Sequence, residues 1–306
     1  MASDPRDRAR KAARRASTTP VVDQQAARHL LIAGCGLDQA PAKATRASVL
    51  RVIRQLGFVQ VDSISSVERA HHLILHARLD GYVPALLAHH TEVLRTAFEH
   101  WTHDASIIRH DWLPWWAHRF AGSKERMLRD EWMRERLGRN WRATLAAVKK
   151  AITERGALAT RDFPRPPRAG EGWWDWSPHK SALEFLWRAG ELAIHSRNGF
   201  EKVYDLSERV YGTPSLVSTR AAMVAWACNE ALTRLGAATA REVSQFMHAV
   251  TVAEANAWCK EQAEAGTVVP VLLERDTRCD VPGFARRHWQ AAAARVTPDT
   301  DRKSVV

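Results

Sequence analysis

The spacing of apolar residues predicts two helices and a strand near the N-terminus. Residues 23–33 form the first helix, with Asp23 as its cap. Residues 46–56 form the second, because apolar side chains recur there at i, i+3, i+4 and i+7 on one face. Gly57 ends this helix, and a short strand over residues 58–62 follows. Helix, helix, strand is the element order of a winged-helix unit.

Two polar side chains share one face of the predicted strand. Gln60 and Asp62 are two positions apart, so both point away from the face that carries Val59 and Val61. An amide and a carboxylate directed together out of a strand with an apolar opposite face are candidates for catalysis. The alternative is that they only cap a turn at the end of the strand.

A second unit with a clearer pattern is predicted further along the chain. A helical stripe begins at Trp141, and Ser177 with Pro178 resembles the cap and first position of another helix. Two strands follow, and Asn198-Gly199 is a typical turn for the hairpin that joins them. Helices followed by a β-hairpin are typical of a winged helix.

The same pattern then recurs. The stretch 236–243 echoes the stretch 156–163 at the same internal spacing, with predicted helices at 219–235 and 252–265 on either side. Apolar residues at 267–273 stand where the hairpin of the second unit stood. The chain therefore contains an internal repeat.

These patterns predict a mainly α fold with small β wings, of the α+β class, built from tandem winged-helix (helix-turn-helix) domains. The predicted division is a disordered basic arm over residues 1–22, a modified winged helix with a helical connector over residues 23–137, winged helices over residues 138–212 and 213–285, and an irregular, truncated end over residues 286–306.

The charge of the chain indicates which class of partner it binds. The chain has 306 residues, with 45 Lys plus Arg against 34 Asp plus Glu, a formal net charge of +11. This excess favours a polyanionic partner, nucleic acid first, although a basic surface without any partner has the same signature. No apolar run is long enough to cross a bilayer, and no secretory signal is recognisable, so we expect a cytoplasmic protein.

Cysteine and histidine spacing argues against a metal site. The cysteines are Cys35, Cys228, Cys259 and Cys279. They form no close C-x-x-C pair, so a zinc ribbon is not expected and we interpret them as buried thiols in a reducing compartment. His71 and His72 are adjacent, but no further ligand lies at zinc spacing. We therefore predict no metal and no cofactor.

Four stretches resemble the YcaQ/AlkZ family of bacterial DNA glycosylases, which are built from tandem winged helices. They are Leu56–Ile64, Arg69–Leu73, Glu99–Ser106 and Gly172–Lys180, the last with its helix and wing through Leu206. The likeness covers about Asp23 to Trp289. The family's catalytic signature is Gln, an apolar residue, then Gln or Asp. Here it is Gln60-Val61-Asp62, the form typical of the YcaQ branch.

The resemblance implies removal of N7-alkylated purines, including interstrand crosslinks, from double-stranded DNA. Asp62 would activate water or stabilise the cationic sugar, and Gln60 would orient the same water. No lysine is near the pair in sequence, so hydrolysis without a Schiff-base intermediate, as in a monofunctional glycosylase, is expected. Members of the family continue into a C-terminal β-barrel, and this chain is expected to lack it, which puts the activity of the chain in question.

The candidate DNA-binding residues come from the same stretches. They are Arg69, His71, His72, Trp101, His103, Trp174, His179, Lys180 and Arg197. His179 and Lys180 lie at a predicted helix N-terminus, which favours phosphate, and Trp174 can stack on a base or fill a core. For the paired histidines, the alternative is packing at a helix start. Arg197 on the wing contacts DNA backbone or only forms the turn.

Two other functions stay open from the sequence. A non-enzymatic winged-helix DNA binder, such as a transcription regulator, would not depend on Gln60 or Asp62. An inactive fragment would bind DNA weakly through its charge alone. A regulator usually carries one recognition unit per chain and dimerises. Three dissimilar units in one chain fit a monomer that clamps a lesion better.

Overall fold

The computed structural model describes residues 19–164, 177–212, 218–276 and 279–296. Its α-helices are α1 Gln24–Gly34, α2 Arg46–Leu56, α3 Ala70–His76, α4 Pro84–Ala88, α5 Leu113–Arg129, α6 Glu131–Leu137, α7 Trp141–Arg155, α8 Pro178–Arg188, α9 Ser207–Tyr211, α10 Arg220–Leu235, α11 Ala240–Gln245, α12 Val252–Glu264 and α13 Trp289–Ala293. Short 3-10 helices cover His110–Trp112 and Thr160–Asp162, and one π-helical turn covers His89–Val93.

The strands form small sheets between these helices. They are β1 Val21–Val22, β2 Ala42–Lys43, β3 Phe58–Gln60, β4 Leu79–Asp80, β5 Ala97–Trp101, β6 Ala105–Arg109, β7 Leu158–Ala159, β8 Leu192–Asn198, β9 Glu201–Leu206, β10 Ala237–Ala238, β11 Val268–Asp276 and β12 Cys279–Arg286. The sheet orders are β3-β6-β5, β7-β9-β8, β1-β11-β12-β10 and the pair β2-β4. The described residues thus form a mainly helical α+β fold with small sheets, as predicted.

The helix-to-strand junction before the Gln60-Val61-Asp62 stretch follows the prediction closely. Helix α2 ends at Leu56, and Gly57 has a φ of 84°, a backbone conformation that costs glycine little. A Cβ at Gly57 would lie 2.4 Å from the Trp112 ring, so glycine also permits the close approach of that ring. Strand β3 pairs antiparallel with β6. The ladder continues one residue further, where the Val61 N–H donates to the Ala105 carbonyl at 2.7 Å.

The second unit packs helices α7 and α8 against the sheet β7-β9-β8. Its core includes Ile152, Leu183, Trp187 and Leu192, each 1% exposed or less. The predicted hairpin is present, but its turn is displaced by one residue. Asn198 pairs with Glu201, so the two-residue loop is Gly199-Phe200 and not Asn198-Gly199, and Gly199 takes a φ of 63° there.

The third unit has a similar order of elements, with an α-helix in place of the 3-10 helix Thr160–Asp162. Helix α10 is followed by the short strand β10, helices α11 and α12, and the hairpin β11–β12. Its core contains Cys228 and Cys259, which are free thiols. Burial raises the pKa of Cys228 to about 12 and the pKa of Cys259 to about 11, so both stay protonated near neutral pH.

Helix α1 packs against the third unit, although it is far from that unit in sequence. Leu30 shares a core with Leu273, Ala285 and Trp289. A Cβ at Gly34 would lie 2.0 Å from the Arg234 carbonyl oxygen, so glycine lets α1 and α10 touch through their backbones. The first predicted domain, residues 23–137, is therefore not one compact unit, because its first helix packs in the core of the third unit.

Both ends of the described chain correct the predicted boundaries. Val21 and Val22 are not part of a disordered arm, because they pair in parallel with Leu272 and Leu273 of β11. Residues 286–306 are not uniformly irregular, because α13 forms there and packs on α1. Residues 1–18 and 297–306 lie outside the described residues. Within the described part of the chain, no helix is long and apolar enough to cross a membrane.

Candidate active site

The strand that carries Gln60 is held to the core by its other face. Val59 is 1% exposed and Val61 is 6% exposed, and both pack in one cluster with residues of α2 and α3. Gln60 is exposed and Asp62 is half-buried. The alternation predicted for these four residues is therefore present, with the polar pair toward solvent.

The Asp62 carboxylate is only partly engaged. Its Oδ1 accepts the backbone N–H of Ile64 at 2.9 Å, which makes a local turn after the strand. Its Oδ2 makes no hydrogen bond to any of the described residues. One carboxylate oxygen thus shapes the turn, and the other remains able to accept a hydrogen bond from water or substrate.

His71 contacts the backbone of Asp62. The Asp62 N–H points to His71 Nδ1 at 3.4 Å, a long hydrogen bond in which the ring nitrogen accepts. Burial, together with the positive charges of His72, Arg197 and Arg69, lowers the pKa of His71 to about 4. The ring is therefore neutral near neutral pH and can accept this bond. In this conformation His71 is 6% exposed, so its ring is turned to the protein and not to solvent.

A cavity of about 240 Å³ lies behind the strand, on the side of Val61. Four of the predicted DNA-binding residues line it: Arg69, His71, His72 and Arg197. Among the described residues, neither Gln60 nor Asp62 lines this cavity, because their side chains leave the opposite face. The structure therefore brings these four residues together beside the catalytic signature, but on the far side of its strand.

His72 and Arg69 each have a contact inside the protein. His72 Nδ1 and the Tyr82 hydroxyl are 2.9 Å apart. The centroids of the His71 and His72 rings are 4.2 Å apart. The Arg69 guanidinium lies 4.6 Å from the centre of the Phe200 ring, in cation–π geometry. Arg69 Nε is buried and has no hydrogen-bond partner among the described residues.

Arg197 forms a largely buried ion pair with Glu99. Arg197 Nε donates to Glu99 Oε2 at 2.8 Å, and Arg197 Nη2 donates to Glu99 Oε1 at 2.6 Å. The side chains are 17% and 6% exposed, respectively. A fork-to-fork contact of this kind is directional as well as strong. The guanidinium predicted to contact DNA is thus neutralised by a carboxylate of the first unit.

The other predicted DNA-binding residues lie away from this cavity. Trp101 is half-buried under the Arg188 guanidinium at 3.7 Å, and Trp101 and the exposed Lys180 line a second groove beside α8, which shares Arg197 and Phe200 with the cavity. The His179 ring stacks on Phe163 with a centroid distance of 5.5 Å. The exposed His103 donates through Nε2 to the Phe246 carbonyl at 2.9 Å. Trp174 lies outside the described residues.

The sequence interpretation did not single out Glu99 or Phe200 as parts of the site. Glu99 follows the buried apolar residues Ala97 and Phe98 in β5 and is itself only 6% exposed. A carboxylate at a buried strand position is a signal that a cation lies opposite. Phe200 lies between the predicted turn and the second predicted strand, where no local pattern marks it. Among the described residues, no group of three or more His, Cys, Asp or Glu side chains could hold a metal ion.

The fold is similar to that of a solved DNA glycosylase. The structure of DNA glycosylase AlkZ from Streptomyces sahachiroi superposes with a TM-score of 0.56 and 12% sequence identity, over 90% of this chain and 73% of that chain. At such low identity the similarity shows the fold alone. The chain thus has a mainly helical α+β fold that is also found in a DNA glycosylase.

A family model identifies the chain more closely. The model of the AlkZ-like DNA glycosylases matches residues 53–302, most of the chain and all of the Gln60-Val61-Asp62 stretch. The chain belongs to the AlkZ-like DNA glycosylase family. The family resemblance is thereby confirmed, whereas membership of the YcaQ branch and the lack of a terminal barrel stay predictions.

Proposed function

We propose that the chain hydrolyses the N-glycosidic bond of N7-alkylated purines in double-stranded DNA, including interstrand crosslinks, as a monofunctional glycosylase. The observation that carries the proposal is the polar pair at the end of β3: an exposed amide, Gln60, and the half-buried carboxylate of Asp62, whose Oδ2 has no hydrogen bond to the described residues. The pair lies inside the region matched by the family of DNA glycosylases. We also propose that the three units are winged helices and that Gln60-Val61-Asp62 is a catalytic signature of the YcaQ type.

The chemistry suits these two side chains. Alkylation at N7 gives the purine a positive charge, so the bond from C1′ to N9 breaks with its electrons returning to the base. Positive charge develops on the sugar, and the Asp62 carboxylate stabilises it. Water then attacks C1′ and passes a proton to Asp62, while the Gln60 amide orients that water. The nearest lysines in sequence are Lys43 and Lys124, so no amine adjoins the pair along the chain for a Schiff base.

DNA contacts are proposed from the residues predicted above. Lys180 is exposed at the first turn of α8, where backbone N–H groups favour phosphate. His103 is exposed next to Trp101, and Arg69, His72, His179 and Trp174 complete the proposed set. The net charge of +11 supports binding to a polyanion. We propose that the protein acts as a cytoplasmic, nucleoid-associated monomer without a cofactor.

Excision of N7-methylguanine tests the proposed function. The chain is incubated with duplex DNA that contains this base, and abasic sites are measured by strand cleavage. Asp62→Asn is expected to slow excision by about 100-fold or more, because proton transfer and charge stabilisation are lost together. Asp130→Asn is the matched control, since the exposed Asp130 also uses Oδ1 to accept the N–H two residues on, at 3.1 Å from Trp132.

Two outcomes would contradict the proposal. One is the lack of abasic sites with the wild-type chain, and the other is an Asp62→Asn variant as active as wild type. Sequence-selective binding that is independent of Gln60 and Asp62 would instead identify a winged-helix regulator. Binding with steep salt dependence and no lesion preference would identify an inactive fragment.

A further inference from the structure

The hairpin of the second unit is attached to the first unit near Asp62. Arg197 of β8 forms the buried, bidentate pair with Glu99 of β5, and its Nη1 donates to the Phe200 carbonyl at 2.6 Å. The Arg197 backbone N–H donates to Glu92 Oε1 at 3.1 Å. A further bond runs from the first unit to the hairpin, where Arg95 Nη1 donates to the His195 carbonyl at 2.7 Å. Side-chain and backbone groups together hold this hairpin to the segment 92–99.

Phe200, in the hairpin loop, connects that attachment to Arg69. Its ring lies 4.3 Å from the Arg197 guanidinium and 4.6 Å from the Arg69 guanidinium. Both distances are within the range of cation–π attraction. Arg69 occupies the N-cap position of α3, without a capping bond from its side chain. The position of the hairpin loop is therefore coupled by contact to the start of α3.

Helix α3 in turn contacts Asp62. His71, in its first turn, accepts the Asp62 N–H. The segment between them has little packing of its own, because residues 63–67 are all exposed and belong to no helix or strand. Ile64 and Val67 are 70% and 91% exposed. The contact from α3 is therefore one of the few that hold the backbone at Asp62, together with the bond from the Val61 N–H to Ala105.

We propose that Arg197 and Phe200 are positioning residues, through which the hairpin of the second unit holds Arg69, His71 and the Asp62 backbone in place. The inference rests on the proposed function for its catalytic readout. It assigns the Arg197 guanidinium to Glu99 and Phe200, not to a DNA phosphate, because three of its N–H donors are already used inside the protein. Misplacement of a catalytic group by about 1 Å is enough to cost about 100-fold in rate.

Excision kinetics separate positioning from phosphate binding. Arg197→Lys, Arg197→Gln and Glu99→Gln are compared with wild type for the single-turnover rate at saturating DNA and for the dissociation constant across a range of salt. Each variant is expected to lower the rate by about 10- to 100-fold, with an unchanged salt slope. Arg161→Lys is the control, since Arg161 pairs with Glu201 of the same unit in an exposed position.

A phosphate contact predicts the opposite pattern. Arg197→Gln would then reduce the slope of log K against log salt by about 0.9, and Arg197→Lys would keep the rate, because lysine still binds phosphate as a point charge. Glu99→Gln would free the guanidinium and tighten binding without slowing excision. Any of these results would overturn the inference.

Aromatic substitution at Phe200 distinguishes positioning from a general loss of stability. Phe200→Tyr keeps a ring face between the two guanidinium groups and is expected to keep the rate within about 3-fold, whereas Phe200→Leu lowers it by about 10-fold. Equal rates for the two variants would contradict the proposed role of Phe200. The residue is half-buried at a loop, so both variants are expected to fold.

Hydrogen exchange gives a readout that does not need catalysis. In Glu99→Gln and Phe200→Leu, peptides over residues 60–72 should exchange faster than in wild type, while peptides over α12 in the third unit should not change. Unchanged exchange at 60–72 would overturn the inference even in an active enzyme. If the wild-type chain excises nothing, the proposed function fails, and this measurement still decides whether the hairpin holds the Asp62 segment.

Discussion

The second and third units have a similar order of elements, but their hairpins contact different parts of the protein. The hairpin β8–β9 contacts the first unit through charged and aromatic side chains beside the candidate active site. The hairpin β11–β12 is instead paired with β1 at one edge and with β10 at the other. The hairpin of the second unit thus lies next to the candidate active site, whereas the hairpin of the third unit is part of a larger sheet.

The chemical character of the two contacts explains the difference. At the second hairpin, a buried Arg197–Glu99 pair makes a directional contact whose geometry matters. At the third hairpin, Leu273 and Ala285 pack against Leu30 and Trp289, which is a contact set by shape and burial. Directional contacts suit the positioning of a nearby group, and apolar contacts suit the joining of distant segments into one core.

The largest effect is expected at the buried pair. Glu99→Ala leaves the Arg197 charge buried without its partner, so the free energy of unfolding should fall by about 3–5 kcal/mol. Arg275→Ala is the control in the third unit, because Arg275 and Glu242 form an exposed pair, and it should cost about 1 kcal/mol or less. Denaturant unfolding measures both values. Similar losses for the two variants would remove the energetic distinction between the hairpins.

A loss of about 2–5 kcal/mol is expected at the apolar contact of the third unit. Leu30→Ala opens a cavity between α1 and the four-stranded sheet, since Leu30 is 4% exposed. Its neighbour Leu31 is 45% exposed, and Leu31→Ala should change stability by no more than about 0.5 kcal/mol. Hydrogen exchange should rise in β11 of Leu30→Ala but not at residues 60–72. A rise at residues 60–72 as well would show that the two hairpin contacts are not independent.

The smallest effect is expected at the helix caps of the two units. The Thr251 hydroxyl accepts the Glu254 N–H at 3.2 Å at the start of α12, whereas Ser177 makes no side-chain cap bond at the start of α8. Thr251→Ala should cost about 1 kcal/mol, and Ser177→Ala should cost clearly less. Thermal unfolding of the two variants checks the difference. Equal losses would mean that Ser177 caps its helix in solution after all.

The candidate site was only partly predictable along the chain. Gln60 and Asp62 could be identified because strand periodicity is local and Gly57 marks where the strand begins. Glu99 and Phe200 could not, because their roles depend on partners about 100 and 130 residues away in the chain, at Arg197 and Arg69. A pairing over such a separation has no local signature in one sequence. The same limit applies to His71, whose acceptor role depends on a neutral buried ring.

The amino-acid sequence by itself determined the elements of this protein. Helices α1 and α2, the glycine stop at Gly57 and the repeat of the later units follow from local propensity, caps and periodicity. Tertiary structure alone decided which elements became neighbours: α1 and β1 join the third unit, and the second hairpin contacts the segment 92–99 and Arg69. The physical reason is that an apolar face must be covered and a buried charge must be paired. Neither requirement specifies which distant segment supplies the partner.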